Sequence, residues 1–467
     1  MHHHSATREA SMQIVDLVIK NGTIVTSAGR FQAGIAIDEG RIAAIGKEVN
    51  LPKGDSVIDA KGKFILPGII DAHVHFRDPG DTEKEDFATG TAAAAAGGVT
   101  TVLDMPNTRP PVLAISVLKD KIKSVQHKAH VDFGLYAGAG VRNLKELDAL
   151  ARGGVVAFKT FMPAGRANSA SDDISLFRVF EKLASMNLPC SVHAESSDLI
   201  DYMKEKLLAE GRKDALAHAE SRPNFVEEQS ISKALIVAKV LGTRIHIAHL
   251  TTREGVRLID LAKKAEQKIS AETCPQYLLM TAEEMRHKGP YAKTNPPLRS
   301  ADDVDELWKA LRNGTIDILA SDHAPHTKAD KDLGFANIWE ASSGMPGVET
   351  MLSLMLTKVN KGKLSLEVLA RAMSESVSRI FGLYPRKGTI QVGSDADLSL
   401  IDLREKKTIR ADDLHTKARD VTVYDGWKIK GAPIATIVRG RLVMWKGQIL
   451  SPPGSGQFIA RGANEIG

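Results

Sequence analysis

Two histidines separated by one residue give the strongest chemical signal in the sequence. They close the run Asp71-Ala72-His73-Val74-His75, which has the apolar character of a β-strand. Residues i and i+2 of a strand point to the same face, so both imidazoles should face one side. Two neutral imidazoles at this spacing can supply half of a zinc site. The alternative is a half-buried strand that carries two histidines without a metal ligand role.

Three further polar residues stand where other apolar runs end, and they could complete such a site. His193 and His249 each close a short run, and Asp322 lies late in another. A carboxylate could both bind a metal ion and carry a proton during hydrolysis. The alternatives are packed histidines and a helix-capping aspartate. His246 could replace His249 as a ligand, but it lies three residues earlier and is expected to face the other way.

Lys159 is an unexpected charge inside the otherwise apolar run 155–162. A bare ammonium is costly to bury, so a buried lysine tends to lose its proton. A neutral lysine amine can react with carbon dioxide, and the resulting anionic carbamate can bridge two metal ions. The alternative is a lysine whose stem is buried while its head reaches water. The residues alone leave these two interpretations open.

Eight β-rich apolar runs, separated by longer helical stretches, fill the middle of the chain. They cover residues 64–75, 100–106, 131–138, 155–162, 189–195, 244–250, 269–278 and 316–326. The stretches 85–96 and 226–241 are predicted helices. This alternation predicts an α/β fold with a (β/α)8 barrel of the TIM type. Active sites of such barrels lie at the carboxyl ends of the strands, which is where the polar residues described above fall.

Short apolar runs broken by turn residues occupy both ends of the chain. Asn21-Gly22 predicts a hairpin turn, and further hairpins are predicted around residues 38–40 and 439–440. We therefore predict a small β-sandwich built from residues 12–66 and 386–467, with the barrel of residues 67–385 inserted between them. Residues 1–11 are interpreted as a tag with vector residues, and Met12 as a native start.

Composition narrows the class of protein. The 467 residues are 43% apolar and 25% charged, with a formal net charge of +5, which is typical of a globular protein. No dense basic block with interleaved aromatic residues occurs, so nucleic acid is not an expected partner, and no apolar run is long enough to predict a membrane span. Only two cysteines are present, Cys190 and Cys274. We expect reduced thiols and a cytoplasmic protein.

Three motifs carry a resemblance to a known family. They are PGIIDAHVHFRDPG at 67–80, DMPNT at 104–108 and SDHAPH at 321–326. With them the chain resembles the cyclic amidohydrolases, and within these the dihydroorotases, from about Asp16 to Gly447. The resemblance implies two divalent metal ions, with Zn²⁺ expected. It implies His73, His75 and Asp322 on one ion, His193 and His249 on the other, and a carboxylated Lys159 between them.

The resemblance also implies how a substrate is held. In dihydroorotases an arginine, an asparagine and a histidine bind the substrate's carboxylate, and this sequence has Arg77, Asn107 and His326 at those places. Asn295 belongs to a loop expected near the pocket. The implied reaction is reversible hydrolysis of dihydroorotate to N-carbamoyl-L-aspartate in pyrimidine biosynthesis, with Asp322 as the catalytic proton carrier. A small anionic cyclic amide is thus the expected partner, and a homo-oligomer, dimer or tetramer, is the expected assembly.

Alternatives to a dihydroorotase remain open from the sequence. The segment ETCPQY at 272–277 and the strand around Lys159 resemble hydantoinases and allantoinases, which favours an uncharged ring as substrate. For Arg77 the alternative is a surface ion pair with Asp78 or Glu83, and for Asn107 a simple turn position. A non-catalytic scaffold of the same fold is a further hypothesis, but every expected ligand type is present.

Overall fold

A computed structural model describes residues 14–462 and begins with seven short strands. Branched apolar residues are frequent in them, because such side chains pack well on a pleated surface. The strands are β1 (Ile14–Lys20), β2 (Thr23–Thr26), β3 (Gly29–Gln32), β4 (Gly34–Asp38), β5 (Arg41–Gly46), β6 (Lys53–Asp59) and β7 (Phe64–Pro67). The tag interpretation of residues 1–11 and the native start at Met12 lie outside the described residues.

Eight parallel strands follow and form the barrel. They are β8 (Ile69–Val74), β9 (Val99–Asp104), β10 (Asp132–Gly138), β11 (Ala157–Phe161), β12 (Cys190–His193), β13 (Ile245–Ile247), β14 (Ile269–Thr273) and β15 (Ile318–Leu319). Each strand pairs with the next one along the chain. The segment after β15 returns to β8, where the His75 amide donates to the His323 carbonyl at 2.8 Å. The predicted (β/α)8 barrel is confirmed.

Helices connect the barrel strands and cover the outside of the barrel. They are α1 (Phe87–Ala96), α2 (Ile115–Val125), α3 (Leu147–Arg152), α4 (Asp173–Ala184), α5 (Ser197–Ala209), α6 (Ala215–Glu220), α7 (Asn224–Leu241), α8 (Arg253–Lys264), α9 (Pro275–Leu279), α10 (Glu284–Lys288), α11 (Ala301–Asn313), α12 (Lys328–Ala336), α13 (Met351–Asn360), α14 (Leu366–Ala370) and α15 (Ser376–Ile380). Among these helices none combines the length and apolar composition required to cross a bilayer.

The last strands return to the first ones and complete a β-sandwich. They are β16 (Leu398–Thr408), β17 (Lys428–Val438), β18 (Arg441–Trp445) and β19 (Gln448–Ile449). One sheet has the order β5-β4-β1-β6, and the other has the order β19-β18-β17-β16-β7-β2-β3. Apolar side chains of both sheets, such as Ile19, Ile37, Ile65 and Leu400, form one buried cluster. The sandwich from both chain ends is therefore confirmed, and its residue limits stay a proposal.

The turn at Asn21-Gly22 does not make the predicted hairpin. It leads from β1, which pairs with β4 and β6, into β2, which pairs with β3 and β7 in the other sheet. The hairpin prediction was wrong because the same turn chemistry also suits a crossing between two packed sheets. The predicted hairpins β4–β5 and β17–β18 are confirmed.

Two predicted runs divide into separate elements. The run 64–75 breaks at Gly68 into β7 of the sandwich and β8 of the barrel. A Cβ atom on Gly68 would lie 2.3 Å from Thr100 Oγ1 and 2.6 Å from Asp397 Cβ, so only glycine fits at this position. The run 269–278 ends as a strand at Thr273, because Pro275 begins helix α9.

Candidate metal centre and substrate pocket

A cavity of about 380 Å³ opens at the carboxyl ends of the barrel strands. The loops after the strands form its rim, as expected for a barrel of this type. Its lining includes every site residue predicted from the sequence, namely His73, His75, Arg77, Asn107, Lys159, His193, His249, Asn295, Asp322 and His326. These residues are far apart in sequence, and the strand register brings them together.

His73, His75 and Asp322 converge at one side of the cavity. The Nε2 atoms of both imidazoles lie 3.4 Å from the Asp322 Oδ1 atom. Ligand atoms of all three side chains lie within 4.8 Å of one another, a spacing that could hold one metal ion. Burial opposes the ionisation of Asp322, but the charges of His73 and the hydrogen bond with His75 hold the pKa of its carboxyl below the usual range.

His193 and His249 form a second pair beside the first. The His193 Nδ1 atom lies 2.9 Å from the His249 Nε2 atom, and the His249 ring stacks near the His73 ring with centroids 5.3 Å apart. Burial lowers the pKa of both the His193 and the His249 imidazole. Neutral imidazoles are the form that binds metal ions, so the pair could hold a second ion.

Lys159 lies on β11 and is fully buried in the cavity floor. Its Nζ atom has no hydrogen-bond partner among the described residues, and its alternative role as a lysine reaching bulk water is excluded. Burial lowers the pKa of this amine to about 8. An amine that is partly neutral near physiological pH and lies beside two ligand groups has the chemistry that carbamate formation requires.

The outer nitrogens of three imidazoles are held by oxygen atoms that turn the inner nitrogens toward the cavity. Glu272 accepts from His73 Nδ1, Asn107 Oδ1 lies 2.8 Å from His75 Nδ1, and Glu195 Oε2 lies 2.8 Å from His193 Nε2. Such partners fix the orientation of a metal-binding imidazole and raise its basicity. Together with the unpartnered Lys159 amine, this donor set fits two divalent ions.

Three residues at the cavity adopt left-handed backbone conformations without being glycine. Their φ angles are 59° at Arg77, 36° at His249 and 47° at Asp322. Such conformations are costly for residues with a Cβ atom and persist where the surrounding structure enforces them. Each of these bends lies within three residues of the end of a barrel strand, and each side chain lines the cavity.

The predicted substrate-binding residues occupy the wall beside the first histidine pair. Arg77 Nη2 lies 3.5 Å from His326 Nε2, and Arg77 Nε is buried without a partner among the described residues. Burial and the nearby Arg166 lower the pKa of Arg77 to about 10, and burial and Arg77 lower that of His326 to about 2. Asn295 Oδ1 is likewise buried without a described partner.

Four functional positions were not predicted from the sequence. Glu272 and Glu195 support ligands, Arg222 binds Glu195 at 2.6 Å, and Arg166 lies over the Phe161 ring at the cavity rim. A signal existed for Glu195, because it stands two residues after His193, a spacing that places side chains of an extended chain on one side. His246 does not line the cavity, and Ser270 and Glu272 bind its two ring nitrogens.

Comparison with known proteins places this geometry in a family. The model of the amidohydrolase family matches residues 64–443, and that of the urease alpha-subunit N-terminal domain matches residues 1–62. The chain is 39% identical to an L-hydantoinase of Paenarthrobacter aurescens, over 96% of this chain and 98% of that protein. It is 39% identical to a dihydroorotase of Methanothermobacter thermautotrophicus, over 91% and 93%.

A solved structure agrees along the whole length. The L-hydantoinase of Arthrobacter aurescens superimposes with a TM-score of 0.93 at 39% identity, covering 96% of this chain and all of that one. Fold, donor set and sequence similarity therefore agree, and the chain belongs to the amidohydrolase family of metal-dependent hydrolases.

Proposed function

We propose that the protein hydrolyses a cyclic amide whose ring carries a carboxylate, namely dihydroorotate, reversibly to N-carbamoyl-L-aspartate, as in pyrimidine biosynthesis. The observation that carries this proposal is Arg77. Its guanidinium lines the cavity, and among the described residues no carboxylate lies within ion-pair distance of it. The alternative partner Asp78 instead binds Lys128 at 2.8 Å. Arg77 is partly buried, with its Nε atom fully buried, so a nearby negative charge from a ligand would offset the cost of this unpaired cation.

The neighbours of Arg77 suit the same ligand. A guanidinium can bind both oxygens of a carboxylate with two parallel hydrogen bonds. The Asn107 carbonyl oxygen faces His75, which leaves its amide group free to donate. His326 is neutral and therefore carries a single N–H. Its Nε2 atom lies 3.1 Å from the Ser343 carbonyl, so binding a carboxylate would exchange that carbonyl for the ligand. We propose that Arg77, Asn107 and His326 bind the substrate's carboxylate and that Asn295 contacts the ring.

The proposed metal ligands are His73, His75 and Asp322 for one ion and His193 and His249 for the other, with carboxylated Lys159 between them. Two divalent ions, with Zn²⁺ expected, would lower the pKa of a bound water and polarise the ring carbonyl. Glu272 and Glu195 would keep the ligand imidazoles oriented.

Within this proposal the side chains have separate tasks. Asp322 lies within 3.4 Å of both His73 and His75 and can receive the proton of the attacking water. It then delivers that proton to the ring nitrogen as the amide bond breaks. Arg77, Asn107 and His326 hold the carboxylate end, which keeps the scissile carbonyl in place during attack.

A second candidate is a hydantoinase, because similarity to the L-hydantoinase equals that to the dihydroorotase in identity and extends further along the chain. Dihydropyrimidinase and allantoinase activities belong to the same group of uncharged-ring alternatives. The two classes differ in what Arg77 does, since an uncharged ring offers it no carboxylate.

The deciding experiment compares hydrolysis of dihydroorotate, hydantoin, dihydrouracil and allantoin by the metal-loaded protein and by Arg77→Ala. We expect dihydroorotate to be preferred and Arg77→Ala to lower kcat/KM for it by about 100-fold or more. The matched control is Arg109→Ala, since Arg109 is exposed and pairs with Asp81 at 3.3 Å. Preference for an uncharged ring, with little effect of Arg77→Ala, would reject the proposal and favour the hydantoinase.

Assembly and compartment complete the proposal. Ile174 on α4 and Ile236 and Val240 on α7 are exposed on neighbouring helices, which supports a homo-oligomer. Both cysteines are buried and unpaired, which supports a cytoplasmic protein.

A further inference from the structure

Two lysines outside the metal centre are buried in an unusual way. Lys331 on α12 has no exposed surface, and Lys293 is 5% exposed. In the part of the chain that the structure describes, neither Nζ atom forms an ion pair with a carboxylate. Asp330 and Asp332, the acids on either side of Lys331 in sequence, instead pair with Lys84 at 3.2 Å and with Lys328. Buried ammonium groups without counterions are rare, so both should have a specific task.

Backbone carbonyl oxygens take the place of counterions. Lys331 Nζ donates to the carbonyls of Lys293, Ser342 and Gly344 at 3.1, 3.1 and 2.8 Å. Burial and the nearby Lys293 lower the pKa of Lys331 to about 7, but three carbonyl acceptors around one amine favour its charged form, whose three N–H groups they would use. Lys293 Nζ donates to the carbonyls of Ile338 and Ala341 at 2.7 and 2.6 Å. Hydrogen bonds to a charged donor are stronger than those between neutral groups, and more so in a buried site.

These bonds connect two segments that form one wall of the substrate cavity. One segment, residues 293–295, carries Asn295, and the other, residues 342–344, lines the cavity with Ser342, Ser343 and Gly344. The Gly344 amide also donates to the Lys293 carbonyl at 2.9 Å. Lys331 thus binds both segments at the point where they touch.

The same bonds determine which way the wall faces. The carbonyls of Ser342 and Gly344 point to Lys331, whereas the carbonyl between them, that of Ser343, lies 3.1 Å from His326 Nε2. His326 precedes α12, the helix that carries Lys331. One ammonium therefore fixes the peptides around Ser343, and through them the position of His326.

We propose that Lys331, supported by Lys293, is a positioning residue for substrate binding, which holds the cavity wall that carries Asn295, Ser343 and His326. It acts from behind the wall and touches neither metal ligands nor the reacting atoms. The role rests on the proposed function only for the identity of the ring. The hydrogen bonds of Lys331 hold the cavity wall whichever ring the enzyme prefers.

The test is Lys331→Met, which keeps most of the side-chain volume and removes the three donors. It is compared with Lys328→Met on the same helix, where Lys328 is exposed and binds Asp332. KM, kcat and metal content are measured with whichever ring the wild type cleaves best. We expect Lys331→Met to raise KM about tenfold or more, with kcat changed within about threefold. Metal content should stay at the wild-type value, and Lys328→Met should match the wild type.

A rescue experiment separates positioning from simple loss of packing. Lys331→Ala leaves room for a small amine, so added ethylammonium should lower its KM toward the wild-type value, whereas ethanol should not. If Lys331→Met does not fold, Lys293→Met is measured in the same way, and a tenfold rise in KM supports the proposal. The proposal is overturned if Lys331→Met folds and its KM stays within about twofold of the wild-type value. The same result for Lys293→Met overturns it where Lys331→Met does not fold. The substrate preference of the wild type separately tests the proposed function.

Discussion

At Lys159, burial decides which chemistry the side chain can perform. Its amine has no partner among the described residues, and burial lowers its pKa to about 8. Carbon dioxide reacts only with the neutral amine, whose fraction rises as the pH rises through the pKa. We therefore propose that carboxylation of Lys159 controls how fast the metal-free protein can be reconstituted.

Reconstitution should depend on pH and on dissolved carbon dioxide. We expect metal-free protein to regain activity with added Zn²⁺ faster at pH 9 than at pH 7 when dissolved carbon dioxide is held constant, with a midpoint near pH 8. Activity and bound metal are followed over time in the same samples, and Lys159→Ala is the control. A rate independent of pH and carbon dioxide would contradict the carbamate.

Residue types and the two-residue period of strands were enough to predict where the proposed metal ligands stand. His73 and His75 share a face because they are two positions apart, and the structure places them on one side of the cavity. Glu272 could not be predicted in the same way, because its partner His73 is 199 positions away. Arg166 lies on a loop with no periodic pattern, so nothing in the sequence indicates where its guanidinium points.

Strand β14 shows how an element can support the site without supplying a proposed ligand. Its Glu272 accepts from His73 on β8, lies 3.1 Å from His246 Nε2 on β13, and accepts from the His249 amide at 3.2 Å. One carboxylate thus ties β14 to two other strands of the barrel. Burial opposes its ionisation, but His73 and His246 hold the pKa of Glu272 well below the usual range.

Removing this charge should weaken metal binding while the barrel stays folded. We expect Glu272→Gln to lower the affinity for Zn²⁺ by roughly 10–100-fold, because the His73 imidazole loses its orienting carboxylate. Competition with a chromogenic chelator measures the affinity. Glu227→Gln is the matched control, since Glu227 is also buried but binds Thr251 and Arg299. Equal metal affinity in both variants would show that Glu272 serves packing alone.

The order of the strands and helices could be predicted from the sequence better than the residues at which they begin and end. Eight runs separated by helical stretches sufficed for the barrel, because that alternation fits few other folds. The break at Gly68 could not be predicted, because the need for glycine arises from Asp397, which is distant in sequence. Likewise, the partner strands of β1 and β2 are set by packing between the two sheets, which the Asn21-Gly22 turn does not encode.

At the scale of the whole molecule, a buried charge cluster joins the barrel to the sandwich. Lys387 Nζ lies 2.8 Å from Asp132 on β10 and 3.2 Å from Asp395, and it also binds Asp397 just before β16. Arg439, in the turn between β17 and β18, lies 3.1 Å from Asp132. The three carboxylates could hold a cation, and the Lys387 ammonium already takes that place.

Removing the central charge should therefore destabilise both units together. Lys387→Met would leave Asp132, Asp395 and Asp397 buried near one another, at a cost of about 3–5 kcal/mol in the free energy of unfolding. Burial raises the carboxyl pKa of Asp132 and of Asp397, and Lys387 lowers both. Without Lys387 these two pKa values therefore rise in the folded state, so protonation stabilises the variant as the pH falls. The urea midpoint should thus drop less at pH 5 than at pH 8.

Two further variants test whether charge causes the loss of stability in Lys387→Met. Lys387→Met combined with Asp397→Asn should recover part of the stability, because one buried negative charge is removed, whereas Lys406→Met on the exposed face of β16 should have little effect. Metal content and substrate KM of the folded variant should match the wild type, since the cluster lies away from the cavity lining. An unchanged urea midpoint, or a deficit that grows toward acid pH, would mean that packing and not charge joins the barrel to the sandwich.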